Sequence, residues 1–220
     1  SSKASAGSVI PLLIASITAT TMAFMLRGFD PILAVTLAPA DAFELWQIPL
    51  FILLGVLCGL MAWYFTSMNS RVGGFFKSID KQYKKWLWGG AILGILIFVF
   101  PPLYGEGYEG FTSLMHGNAQ ELFNNSLFYR FRDIDWVIIL FVIATMFFKV
   151  IAMSTTNAAG GVGGTFAPSL FVGAFTGASL ALVCNTLFGW EVSIVSFTLV
   201  GMAGVMSGVM NAPLTSIFLI

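Results

Sequence analysis

Charge is what this sequence has least of. Only 9% of its 220 residues are Asp, Glu, Lys or Arg, whereas 58% are hydrophobic. A soluble domain carries about a quarter charged residues, so the composition excludes an ordinary water-soluble domain. Ten basic and ten acidic residues cancel, so no excess of positive charge indicates a nucleic-acid partner. The composition predicts an integral membrane protein with the lipid bilayer as its main partner.

Cysteine and histidine are also scarce. Cys58 and Cys184 lie far apart in apolar runs, which predicts small buried hydrophobic residues and not a disulfide. The only histidine, His116, is predicted to be a solvated loop residue, and a metal site would need partners that the sequence lacks. An intramembrane serine hydrolase built on Ser207 would require His116 to reach the membrane interior. Neither a cofactor nor an enzymatic activity is predicted.

Long apolar runs are abundant. Four of them are close to the ~20 residues that cross hydrocarbon and predict ordinary membrane helices. They cover residues 8–26, 46–65, 86–104 and 135–153. Two more apolar stretches, 160–188 and 193–220, are interrupted by glycines and prolines and predict discontinuous or re-entrant helices. Such breaks are tolerated in a membrane only where the freed backbone faces protein or a water-filled cavity, so they indicate a functional site.

Three polar connections, residues 27–45, 67–85 and 105–135, separate the predicted spans. The second is rich in lysine, which by the positive-inside rule predicts a cytoplasmic position. The third is predicted to be a partly helical surface excursion. The chain begins with a short polar stretch without a signal peptide and stops inside an apolar run. Residues 1–220 are therefore interpreted as one partial transmembrane domain, truncated at both ends.

A glycine-rich loop leads into the fifth apolar stretch. Pro168 suits the first turn of a helix, so a helix is predicted to begin near Phe166. Glycines let the preceding backbone turn tightly, and the free N–H groups of a helix N-terminus attract anions. The same pattern also fits close helix packing through the small pair Gly173 and Gly177. The residues alone leave both interpretations open, but no Gly-Lys-Ser/Thr follows the glycines, which argues against a phosphate loop.

The sequence Gly164-Thr165-Phe166-Ala167-Pro168 resembles the Gly-x-Phe-x-Pro anion-binding motif of the chloride channel and transporter (CLC, voltage-gated chloride channel) family. Three further stretches resemble the family in the same order: LLGVLCGLMAWYF, FPPLYGEGY and GMAGVMSGVMNAPLTSIFLI. The resemblance implies an inverted-repeat bundle of membrane helices, with this chain as its second half plus the preceding helices. The anion-binding residues that it implies are Gly163, Gly164, Thr165, Phe166, Ala167 and Pro168.

The resemblance also implies a homodimer with a pore in each subunit. The helix after Pro213 would contribute to the subunit interface, which makes Leu214, Ile217 and Phe218 candidate dimer contacts. The family's serine loop, gating-glutamate loop and late pore tyrosine do not occur in this sequence and would lie in flanking segments. The resemblance places the 67–85 connection outside, against the charge rule. We follow the resemblance, because charge bias acts mainly through the early helices.

The function implied is transport of chloride or other small anions. Proton-exchanging relatives carry a glutamate on the helix before LLGVLCGL, and this chain has none there. The acidic residue nearest to that position in the sequence is Asp30, which stands next to Pro31. A passive channel is therefore favoured, with a proton-coupled antiporter and a non-transporting membrane scaffold as alternatives. The predicted location is a bacterial inner membrane. Lys149 is predicted to snorkel at the end of its span or to have another structural role, with attraction of anions towards the pore entrance as the alternative.

Overall fold

The computed structural model describes residues 6–28, 44–105, 107–116, 118–132 and 134–219. Their secondary structure is helical throughout, without strands in these ranges, which confirms the all-α prediction. The α-helices of these ranges are α1 (Ala6–Arg27), α2 (Ile48–Lys77), α3 (Gln82–Val99), α4 (Tyr108–Met115), α5 (Asp135–Ala158), α6 (Phe166–Phe188), α7 (Ile194–Met210) and α8 (Pro213–Leu219). Short 3-10 helices supplement them, among them Pro101–Leu103 after α3.

Helix α1 belongs to a compact unit of its own, and the remaining helices form a second unit. The hydroxyls of Thr18, Thr20 and Thr21 each donate to the carbonyl four residues earlier, at 2.8, 2.9 and 2.8 Å. These bonds satisfy polar groups inside an apolar helix without a partner from elsewhere. The first predicted span is therefore a helix that contains its own hydrogen-bond acceptors.

Three helical segments within the described ranges are long and apolar enough to cross a membrane: Leu45–Lys77, Asp135–Ala158 and Phe166–Phe188. Helix α2 continues well past the predicted span, so the first part of the 67–85 connection is helical. Helix α3 stops at Val99, because Pro101 and Pro102 follow and the residue before a proline avoids the helical region.

The two interrupted stretches behave differently. The prediction of a broken helix over 160–188 was wrong, because the glycines form a loop and α6 then runs unbroken for 23 residues. Pro168 lies in its first turn, as expected. The predicted break in 193–220 is confirmed. Helix α7 ends at Met210, Asn211 takes the left-handed conformation (φ +52°), and α8 begins at Pro213.

Helix α6 is the centre of the second unit. Every residue from Ser169 to Ala181 is buried, and α5, α7 and α2 pack around it. Helix α7 lies antiparallel to α6 at very short range. A Cβ at Gly173 would lie 2.7 Å from Met202 Cα, and a Cβ at Gly201 would lie 2.9 Å from the amide nitrogen of Gly177. Only glycine permits this approach of two backbones.

Helix α2 also packs against α7 through small residues. A Cβ at Gly204 would lie 2.9 Å from Cys58 Sγ, and Phe51 stacks on Phe197 at 4.5 Å between ring centroids. Cys58 is buried against α7, and Cys184 is buried in α6. Both cysteines are free, which confirms that they act as small hydrophobic residues.

The 105–135 connection is more deeply packed than predicted. Phe111 and Leu114 of α4 are fully buried, and so is Phe123, whose ring stacks on Phe141 of α5 at 4.4 Å. The surface-excursion prediction was wrong for these residues. Phe111 and Leu114 are three residues apart on α4, which gives that short helix an apolar face. This face packs against the interior of the protein.

We expect Gly173→Ala to destabilise the full-length protein by about 1–3 kcal/mol, because the new methyl group would overlap the α7 backbone. Gly74→Ala, in the last turns of α2, is the matched control, since a Cβ there meets no atom within 4 Å. Thermal unfolding in detergent, followed by tryptophan fluorescence, measures both variants. Equal melting temperatures for Gly173→Ala and the control would contradict the close contact.

Candidate anion-binding site

The glycine-rich loop begins where α5 ends. The amide of Ala159 donates to the Thr155 carbonyl at 2.9 Å, and the amide of Gly161 donates to the Thr156 carbonyl at 2.9 Å. Between them, Gly160 has a φ of +105°, a conformation that residues with a side chain rarely adopt. Gly160 thus reverses the chain and closes off the last turn of α5.

The next glycines keep the loop close to α5. A Cβ at Gly161 would lie 2.8 Å from the Thr156 carbonyl oxygen, and one at Gly163 would lie 2.9 Å from Asn157 Oδ1. Gly164 differs, because its nearest neighbour would be the amide nitrogen of Phe166 at 4.0 Å. Gly161 is therefore required for packing against the α5 backbone, and a side chain at Gly163 would displace Asn157, whereas Gly164 leaves open space in front of a backbone donor.

Helix α6 begins with unused backbone donors. Thr165 is its N-cap residue, but the Thr165 side chain makes no capping hydrogen bond. Its hydroxyl lies 3.6 Å from Met210 Sδ instead. The helical ladder starts with the amide of Ser169, which donates to the Thr165 carbonyl at 3.0 Å. Within the described part of the chain, the amides of Thr165, Phe166 and Ala167 have no acceptor.

These donors lie at the positive end of the α6 dipole, where an anion is stabilised by partial charges on the unsatisfied N–H groups. Pro168 contributes no N–H and fits the helical φ of the first turn. The start of α6 thus holds several neutral N–H donors in place, and none of them is hydrogen-bonded to an acceptor in the described part of the chain. It offers an anion a binding surface of neutral main-chain N–H groups.

A cavity of about 600 Å³ adjoins this helix start. Five of the six predicted site residues line it, and Thr165 does not. The opposite wall comes from α3 and the turn after it, and the floor from α5. The lining residues are Leu93, Ile97, Leu103, Tyr104, Gly105, Lys149, Ala152, Met153, Thr156, Asn157, Val162, Gly163, Gly164, Phe166, Ala167 and Pro168. None of these described lining residues is acidic.

Lys149 is the charged residue of this lining, and of its predicted roles the structure contradicts snorkelling and agrees with a structural one. The side chain is 3% exposed. Its Nζ donates to the carbonyls of Leu103 and Gly105 at 3.1 and 2.8 Å and lies 4.7 Å from the centroid of the Phe171 ring. The ammonium therefore points into the protein. The sequence signalled Lys149 only as a charge in an apolar run and did not indicate these partners.

The other singled-out residues lie apart from this arrangement. His116 is exposed after α4, with Nδ1 2.7 Å from the Thr112 carbonyl oxygen, whereas Ser207 lies on α7. The described residues contain no group of three His, Cys, Asp or Glu side chains that would hold a metal ion. Asp30 lies outside the described residues.

The candidate dimer contacts share one face of α8. Leu214, Ile217 and Phe218 are 71%, 66% and 86% exposed, at a spacing that places them on one side of a helix. Ser216 of the same helix is buried. Helix α8 therefore packs through one side and presents an apolar surface on the other.

The chain matches known membrane proteins over its whole length. A family model described as voltage gated chloride channel matches residues 1–220. Chloride channel proteins CLC-e and CLC-f of Arabidopsis thaliana are 28% and 29% identical over 95% of this chain, which covers 29% and 26% of those relatives. The H(+)/Cl(-) exchange transporter ClcA of Salmonella paratyphi B is 29% identical over 88% of this chain and 38% of its own length. The chain thus spans well under half of each relative.

We expect Gly164→Val to weaken chloride binding about tenfold, equivalent to about 1.4 kcal/mol. The new side chain would cover the Phe166 amide without straining the loop, because the space around Gly164 is open. Isothermal titration calorimetry of the purified full-length protein measures the affinity. Thr165→Ala, which keeps every amide, is the control and should bind chloride as the wild type does. Unchanged affinity in a folded Gly164→Val variant would refute the assigned site.

Proposed function

Because this chain belongs to the voltage-gated chloride channel family, we propose that it forms part of a transmembrane pathway for chloride and other small anions. The anion rests on the main-chain amides of Phe166 and Ala167, with Thr165 as a further donor. The observation that carries this proposal is the set of amides without an acceptor at the start of α6, next to a cavity with no acidic residue in its described lining. Gly163, Gly164 and Pro168 shape the loop.

Neutral donors suit transport better than a tight binding site. An anion that leaves water must recover its lost hydration, and aligned amides at a helix N-terminus supply hydrogen bonds and a favourable dipole. Conduction also requires release, which a full positive charge in contact with the ion would slow. Partial charges on backbone N–H groups hold the anion without trapping it.

The pathway works as a passive channel in this proposal. The helix before α2 in proton-exchanging relatives carries an internal glutamate, and the corresponding sequence RGFDPILAVTLAP contains none. The alternative is a proton-coupled antiporter, because relatives named as channels and as an H(+)/Cl(-) exchange transporter both resemble this chain. An antiporter would need a proton route that does not use a glutamate at this position.

We place the protein in a bacterial inner membrane, for which the Salmonella relative is the supporting observation. Residues 1–220 form one partial transmembrane domain, since the chain covers between 26% and 38% of the length of the three relatives described above. Neither proposal assigns an enzymatic role to Ser207 or a cofactor to the site. Membrane fractionation of the source cells tests the location.

Chloride efflux from liposomes that contain the full-length parent protein tests the transport proposal. We expect efflux once valinomycin dissipates the membrane potential, with no change in external pH. Stoichiometric proton movement would identify an antiporter. If folded protein released no chloride, the scaffold alternative would replace the transport proposal. Liposomes without protein provide the baseline in both measurements.

The homodimer proposal rests on the apolar face of α8. Leu214, Ile217 and Phe218 bury their exposed side chains against a second subunit in this proposal. We expect Ile217→Trp to shift the protein from dimer to monomer, because the larger ring disrupts a packed interface. Ile95→Trp on α3 is the matched control, since Ile95 is also 66% exposed. Cross-linking in membranes measures the dimer, and equal dimer fractions for both variants would refute the assigned face.

A further inference from the structure

The buried ammonium of Lys149 joins two segments that are distant in sequence. Its Nζ donates to Leu103 at 3.1 Å and to Gly105 at 2.8 Å, so one cation binds two carbonyls of the same short turn. These carbonyls belong to the segment that follows α3, whereas Lys149 itself lies on α5. A protonated lysine has three donors on a compact head, which suits it to gather several acceptors at one point.

The same ammonium also contacts α6. Nζ lies 4.7 Å from the Phe171 ring centroid, within the range of a cation–π interaction. Phe171 is fully buried and stacks on Phe175 at 4.0 Å between ring centroids. It follows Phe166 by about one and a half helical turns. Through its contact with the Phe171 ring, Lys149 is therefore linked to the N-terminal part of α6.

The segment after the turn packs on the same ring. Gly107 has a φ of +87°, and a Cβ there would overlap the Phe171 ring. At Gly110, a Cβ would lie 3.4 Å from Phe171 Cε2. The segment after the turn therefore packs on α6, and the turn itself is bound by Lys149, which contacts the same Phe171 ring.

Both segments that Lys149 holds are walls of the anion cavity. Leu103, Tyr104 and Gly105 form one wall, and the loop and first turn of α6 form the other, with Lys149 between them. We propose that Lys149 is a positioning residue that fixes the distance between these two walls and thereby determines which anions the cavity admits. The inference rests on the proposed transport function and adds a residue that controls selectivity within it.

Removal of the ammonium has a defined physical consequence. Lys149→Met keeps the length and apolar stem of the side chain but leaves the Leu103 and Gly105 carbonyls without their donor. The Leu103 carbonyl is buried and the Gly105 carbonyl partly so. Without their donor they recruit water or rotate towards it, which releases the turn from α6 and widens the cavity. Lys149→Arg retains several donors and the cation–π contact, so it preserves the clamp.

The test compares chloride and thiocyanate flux in liposomes that contain the full-length parent protein. For Lys149→Met we expect the chloride-to-thiocyanate flux ratio to fall about tenfold, within the range that a ~1 Å misplacement produces. Lys149→Arg should keep the wild-type ratio. Val150→Ala is the matched control, because Val150 is fully buried on the same helix but does not line the cavity. It should lower thermal stability and leave the ratio unchanged.

The outcomes separate this inference from the transport proposal. If the wild type moves no chloride, the proposed function fails regardless of Lys149. If the wild type moves chloride and Lys149→Met keeps its ratio, the positioning role is wrong. A fall of equal size in Val150→Ala would indicate general loosening of α5 and would overturn the inference as well. Should Lys149→Met fail to fold, Phe171→Leu removes the ring under the ammonium and should shift the ratio in the same direction.

Discussion

The free amides at the start of α6 cannot face lipid, and much of the architecture follows from that constraint. Hydrocarbon offers no hydrogen-bond acceptor, so an unpaired N–H within a membrane must lie against protein or water. The structure surrounds α6 with α5, α7 and α2 and buries it from Ser169 to Ala181. Its first turn lines a cavity. The enclosure is what makes a set of unpaired donors physically tolerable.

Glycines perform three different tasks around this helix. Gly173, Gly177 and Gly201 bring the α6 and α7 backbones into contact, and Gly160 provides the left-handed turn after α5. Gly164 is not required for space, and its missing side chain exposes the Phe166 amide. Packing and the proposed anion binding, which the sequence leaves as alternative interpretations of one pattern, thus involve different glycines of the same segment.

Among the described residues, Lys149 is the charged side chain of the interior, and the other buried polar side chains there are neutral. Lys149 Nζ donates hydrogen bonds to two carbonyls of the turn after α3 and makes a cation–π contact with the Phe171 ring. In this position the charge is stabilised by acceptors and a ring face, which lowers the cost of its burial. One side chain therefore contacts both the wall of the cavity and the core of the bundle.

Composition and short motifs determined the membrane class, the helix start near Phe166 and the turn at Asn211, because apolar run length, Pro168 and the Asn-Ala-Pro sequence act locally. The tertiary structure decided what local signals do not contain. In the folded protein, Lys149 points inward, and Phe111 and Phe123 of a polar connection are buried. The space around Gly164 is open, whereas a side chain at Gly163 would meet Asn157. Each outcome depends on which helix lies opposite the residue, and that is fixed by packing between segments far apart in sequence.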